Sequence, residues 1–225
     1  RKKADFLHKK KKKDNFVPYL EGKDVQRYVV EFKDLYLDYQ PSIMARPTFR
    51  EFQESPKILI RAIAQGLLGT YDSEKYYIDQ KLIGCVQYKF LGEKRQVKMP
   101  ENYQLSNQYH DCYALGLVNS KLLFYYYQTV LFGGLSILPE HVRQLPIRQI
   151  DFDNFADRNA HDEIVSLVEK ILMLQKERQI VRPEDDLDRA RNLDRQIFSI
   201  DAEIDKRVYA LYSLTEDEIK IVEGG

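Results

Sequence analysis

Leu193, Ile197, Ile200, Ile204, Val208 and Leu211 recur at steps of four, three, four, four and three residues. Only an α-helix returns side chains to one face at that interval, so this stretch predicts a long helix with an apolar stripe to bury. A lone helix cannot bury its own stripe. A partner lies just upstream, where Ile164, Leu167, Val168, Ile171 and Leu174 share one face and Asp162 is placed to cap. A polar segment containing Pro183 separates the two and turns the chain, so they are expected to pack on one another. Thr215 followed three residues later by Glu218 is a capping box that opens a short last helix.

Upstream the periodicity changes. Residues 15–100 read as mostly β: residues 25–32 and 76–86 are rich in aromatic and β-branched side chains, and residues 57–61 form a short apolar run bracketed by charges. Between the first and last of these lies an irregular link, residues 39–56, interrupted by Pro41 and Pro47. Loops this long are uncommon in compact domains unless they function. Residues 109–132 predict a buried helix, or two helices broken near Asn119 and Ser120, stopped by Gly133 and Gly134. Pro139 and Pro146 frame an extended segment with one helical turn between them. The expected fold class is therefore α+β: a mostly β N-terminal recognition region, then helices, with two long packed helices and a short C-terminal one. The expected parts are a basic segment (1–14), a recognition region (15–150) and a helical region that braces or spaces it (151–225).

A formal charge of zero conceals an asymmetry. Residues 1–100 hold 21 Lys and Arg against 13 Asp and Glu, whereas residues 101–225 hold 14 against 22. A basic half joined to an acidic half implies a division of labour. The lysines at 9–13 supply part of the excess and read as a solvated segment or a frayed terminus. The longest apolar run, LLFYYYQTVLF, is too short and too polar for a bilayer, so no membrane association is expected. Cys85 and Cys112 have no metal or redox spacing and read as buried thiols in a reducing, cytoplasmic setting. The chain begins at Arg1 rather than Met, so it is expected to be cut from a longer protein.

The catalytic inventory is thin. His8, His110, His141 and His161 stand in no ligand spacing and read as surface or capping residues. No Gly-rich phosphate loop and no GxSxG occurs. Glu218-Ile219-Lys220 is the one Glu-x-Lys, but the capping box already explains Glu218, which weakens a nuclease built on Asp217, Glu218 and Lys220. Asp201 and Asp205 sit one helical turn apart, more in keeping with a solvated or capping face than with a metal. No catalytic residue and no metal ligand is assigned.

The binding inventory is fuller. Lys and Arg through the first hundred residues alternate with Tyr and Phe, a pattern that can neutralise phosphates, read guanine edges and stack bases. The candidate DNA contacts are Lys23 and Arg27 after the first turn, Arg46 and Arg50 on the long link, Lys57 and Arg61 around the apolar run, Tyr71, and Lys94, Arg95 and Lys98 in a second basic loop. A helical protein-interaction scaffold that recruits a catalytic subunit is the competing reading.

Six local motifs then follow in order: PYLEGKDVQRY, SPKILIRAI, LLGTYDSEKYYID, LGLVNSKLLFYYY, ILPEHVRQLPI and IDAEIDKRVYALYSLTEDEIKIVE. Together they resemble the TaqI-like C-terminal specificity domain, with the likeness running from about Phe16 to Glu223. Its most distinctive pieces are Leu117 to Leu122 and Ile204 to Thr215. The resemblance implies a DNA target recognition domain of adenine-N6 DNA methyltransferases and fused type II restriction-modification enzymes, non-catalytic by itself. It further implies a double-stranded DNA partner. An upstream methyltransferase domain of the same polypeptide would hold S-adenosylmethionine, and no cofactor is expected in this chain. The NPPY-type motif and cofactor-binding glycines of that domain are absent from this sequence. The target sequence, the oligomeric state and the presence of a nuclease stay open.

Overall fold

The computed structural model describes residues 3–44, 48–91, 103–131 and 133–224. The N-terminal region is built from short strands in three small sheets. β1 (Leu7–His8), β5 (Tyr36–Asp38), β2 (Phe16–Leu20) and β8 (Tyr77–Ile78) form the first, in that spatial order. β1 and β2 pair antiparallel to opposite edges of β5, with Leu7 and Val17 both level with Leu37. The first residues therefore contribute an edge strand and a buried side chain, Phe6. β3 (Val25–Gln26) and β4 (Val29–Val30) make a minimal hairpin. β7 (Gly69–Asp72), β6 (Lys57–Arg61) and β9 (Leu82–Cys85) form the third sheet. Two one-turn helices intervene, α1 (Arg50–Gln53) and α2 (Tyr88–Leu91).

The break near Asn119 is real: α3 (Asp111–Asn119) ends and α4 (Lys121–Thr129) begins at Ser120. The Ser120 hydroxyl accepts from the Leu123 N–H as an N-cap, and its extended backbone, φ −68° and ψ 151°, redirects the chain. α5 (Pro139–Arg143) is the turn between the prolines. α6 (Phe155–Ile180) and α7 (Leu187–Leu211) form the long hairpin, and α8 (Glu216–Val222) opens with the Thr215/Glu218 capping box. Asp162 does not cap α6. Asn154 does so about two turns earlier, because its side chain accepts from the Ala156 and Asp157 N–H groups. Ion pairs Arg178–Asp194 (2.7 Å), Glu177–Arg189 (2.8 Å) and Glu163–Arg207 (3.1 Å) mark an antiparallel register between the long helices.

The main core joins the third sheet to α3, α6 and α7, through Ile58 and Ile60, Leu115 and Leu117, Ile164 and Val168, and Ile204 and Val208. α3 crosses α6 at Gly116, where an added Cβ would lie 2.8 Å from Ile164 and 3.0 Å from Val168. Glycine is tolerated inside this helix because the backbones meet there. His161, expected at the surface or as a cap, is instead buried against Tyr113, with ring centroids 4.9 Å apart.

Candidate nucleic-acid interface

Arg27, one of the candidate DNA contacts, and its neighbour Tyr28 face inward. Tyr28 is 1% exposed and takes a left-handed backbone, φ 62°. An aromatic residue in that region is strained by about 1–2 kcal/mol, so its surroundings must hold it there. They do so through Gly69, whose carbonyl accepts from the Tyr28 N–H at 2.9 Å. Asn119 grips the same glycine with both ends of its amide, accepting from the Gly69 N–H at 2.8 Å and donating to the Gly69 carbonyl at 3.0 Å. Arg27 bonds both carboxylate oxygens of Asp201, at 2.9 and 2.7 Å, and donates to the Asn119 carbonyl. Burial opposes the Arg27 charge, but Asp201 and Asp205 overcome it and hold the guanidinium above the ordinary arginine value.

Asp205 completes this junction by accepting from the Lys121 N–H at 2.9 Å, capping α4 from α7. Burial raises its pKa, and that hydrogen bond with the nearby cations pulls the other way. Asp201 and Asp205 thus form no metal pair: Asp205 takes the capping role expected of this face, and Asp201 seats Arg27. Four of the six ordered motifs meet here: the GKDVQRY turn, the LLGTYD strand, the LxNSKL helix break and the IDAEID helix.

Lys57 is also structural. Its side chain is 0% exposed, as is that of Asp72, and the two pair at 2.8 Å. The ammonium donates to the Gln53 and Ser55 carbonyls as well. Burial pushes the lysine below and the aspartate above its ordinary pKa, and each is pulled back by the other's charge. With no donor left over and no solvent path, Lys57 cannot reach a phosphate. Tyr71 is half-buried against the main core, and Arg61 is half-buried at the end of β6 beside Leu82. Lys23 is exposed but pairs with Glu21 at 2.9 Å. Arg46, Lys94, Arg95 and Lys98 lie outside the described residues.

Arg50, another of the candidate contacts, stands at the start of α1. It is exposed, with its guanidinium 5.4 Å from the ring centroid of Tyr39. Tyr39 lines a cleft of about 1130 Å³ between the first sheet, α1, β9 and residues 136–143. Phe6, Leu37, Tyr39 and Tyr77 form its apolar wall. The Tyr39 hydroxyl donates to the Thr48 carbonyl at 2.6 Å, and that of Tyr77 to Glu54 at 2.7 Å, so the wall is fixed in place. Exposed Ile63 and Leu138 stand on the lining, together with Lys81, Asp79 and Arg143, which pairs with Glu140 at 3.1 Å. Met44 and Thr48, which bracket Arg46 in sequence, line it too. A wall of fixed rings with cations around the mouth suits a partner that is both planar and anionic. Arg143 had no signal in sequence, since it belongs to the acidic half and to a one-turn helix.

Nucleophiles and metal donors are less well set. His110, Cys112 and Glu169 bring donor atoms within 4.8 Å of one another, the one such group among the described residues. The His110 Nδ1 accepts from the Cys112 N–H at 3.2 Å, so the neutral ring carries its proton on Nε2, facing Glu169 at 3.8 Å. Burial pushes the Cys112 thiol up to about 12. A protonated thiol and a protonated ring nitrogen are poor ligands. At the far end the Glu218 carboxylate accepts from the Thr215 N–H and Lys220 pairs with Asp217 at 2.8 Å, on a short, largely exposed helix.

Fold and site together give small sheets that carry a cleft and are tied to a helical hairpin by the partly buried Arg27–Asp201 pair. The chain belongs to the family of the TaqI-like C-terminal specificity domain, which matches residues 17–147, more than half its length. The cleft, the buried pair and most of the junction fall inside the match. α6, α7 and α8 lie beyond it, and with them the Asp201 and Asp205 half of the junction. No curated protein matches the chain. Among the described residues, no helix is long and apolar enough to cross a membrane.

Proposed function

We propose that this chain is the target recognition module of a type II restriction-modification enzyme that methylates adenine N6. The observation that carries the reading is the family membership, joined to a cation-rimmed cleft in the matched region. The module binds a DNA duplex through that cleft. Arg50, Lys81 and Arg143, together with Arg46, Lys94, Arg95 and Lys98, fix register on phosphates, while side chains among them reach base edges. It performs no chemistry itself. A methyltransferase domain upstream in the same polypeptide binds S-adenosylmethionine and extrudes the adenine. The helical hairpin braces the recognition region against that domain, and its exposed Met173, Ile180 and Phe198 offer apolar contact area. The whole protein works in the cytoplasm, where its DNA is.

Selection of bound duplexes from a random pool tests the reading. Enrichment of one short sequence, with affinity falling steeply in salt, is the expected result. Arg95→Ala and Lys98→Ala then weaken binding and flatten the salt dependence. A salt-insensitive association with a protein partner, and no duplex enrichment, would favour the scaffold reading instead.

A further inference from the structure

We propose that the lysines at 9–13 form a phosphate-gripping crossover for duplex DNA, tied to the start of the long link by the carboxylate of Asp38. The inference rests on the DNA reading above and assigns a role to a segment that reads in sequence as solvent-exposed filler.

The run is not a frayed tail. β1 and β2 flank β5 on opposite edges and run parallel to one another, so the connection between them crosses from one edge of β5 to the other. All five lysines are exposed along that path. Its two ends are pinned to each other, because the His8 ring stacks on Phe16 at 4.5 Å with an 18° interplanar angle. The Phe16 N–H also returns to the Lys13 carbonyl at 3.1 Å. The crossover is thus a short, anchored arch with its cations pointing outward.

Asp38 ties that arch to the recognition loop. Its Oδ1 accepts from the Asn15 amide at 3.1 Å, and its Oδ2 accepts from the Gln40 amide at 2.6 Å. Asn15 closes the lysine arch, whereas Gln40 opens the long link that runs to Arg50. Tyr39, between Asp38 and Gln40, is the ring under the Arg50 guanidinium. One carboxylate therefore holds the lysine arch and the arginine loop at the same end of the first sheet. Asp14 and Asp38 offset part of the local charge and leave the arch clearly cationic. Lysines on flexible stems act as point charges without reading bases, so the arch should grip any duplex backbone equally.

The test is duplex binding by the full-length protein with Lys9 to Lys13 all changed to Gln. Lys10→Gln with Lys12→Gln serves as a milder variant should the first fold poorly. Anisotropy is followed against salt, on the duplex enriched by selection and on a random duplex of equal length. Every phosphate that goes without its lysine lowers the salt slope by about 0.9, so three such phosphates weaken binding by roughly five hundredfold near 0.1 M salt. The weakening is expected to be equal on both duplexes. A wild type that binds and a variant with unchanged slope would overturn the arch alone. Weakening confined to the enriched duplex would overturn it too, by making the lysines base readers. If the wild type binds no duplex at all, the DNA reading fails and the arch falls with it.

Discussion

Replacing Lys57 by Met separates a structural cation from a DNA contact. Lys57 and Asp72 are both fully buried, and their 2.8 Å pair joins β6 to β7. Met fills the space of the stem but supplies no donor. Asp72 then keeps only the Lys75 and Tyr76 backbone N–H groups, at 2.8 and 2.9 Å, to stabilise a buried negative charge. The Gln53 and Ser55 carbonyls lose their ammonium as well. Breaking a buried pair by removing one partner costs about 3–5 kcal/mol. For a chain of this size that corresponds to a fall of roughly 6–20 °C in the melting midpoint. Lys57→Met with Asp72→Asn removes the stranded charge while the side-chain oxygen still accepts from the turn. This double variant is expected to recover about half the loss or more. Urea unfolding followed by circular dichroism, across all four members of the cycle, gives the coupling directly. Should Lys57→Met unfold like the wild type yet lose duplex affinity, the buried-pair account would be wrong.

The junction and the last helix yield further expectations. Asn119→Ala leaves the Gly69 N–H buried without its acceptor and should lower unfolding free energy by about 2–4 kcal/mol, read from urea midpoints. Asp201→Ala strands a partly exposed Arg27 and should cost less, about 1–3 kcal/mol after solvent screening, while raising amide exchange in both β4 and α7. Glu223 accepts from Lys121 at 2.9 Å, and that contact holds its carboxyl below the ordinary value of 4.5. A depressed acid stabilises fully above that ordinary value and loses the contribution as pH falls through its lower, folded value. Contacts of α8 with α4 should therefore loosen below about pH 4.5, seen as new amide exchange in α8, and Glu223→Gln should remove that pH dependence.

Much of the helical half was legible because its signals are local. The stripe from Leu193 to Leu211, the capping box at Thr215 and the break at Ser120 each depend on residues within a few positions of one another. Asp162 misled because any acid near the start of an apolar stripe resembles a cap, and only hydrogen bonds identify Asn154. The strands were legible as β content but not as three separate sheets, since pairing two-residue strands is decided at long range. For the candidate site, sequence counted cations without knowing which ones the fold consumes. Arg27 and Lys57 are far along the chain from their acids, Asp201 and Asp72, and nothing local marks them as inward. Arg50, on the long link, stays exposed at the start of the one-turn α1.

The Arg27–Asp201 bond closes a loop of 174 residues, and that span has a consequence for how the molecule is made. At roughly 5–20 residues per second on the ribosome, the arginine waits about 10–35 s for its acid to be synthesised. Until then the hairpin bearing Tyr28 has its Gly69 contact but lacks the Asp201 half of its seat. The amino-terminal half should emerge as a provisional assembly, vulnerable to proteases and chaperones, and set only when the seventh helix arrives.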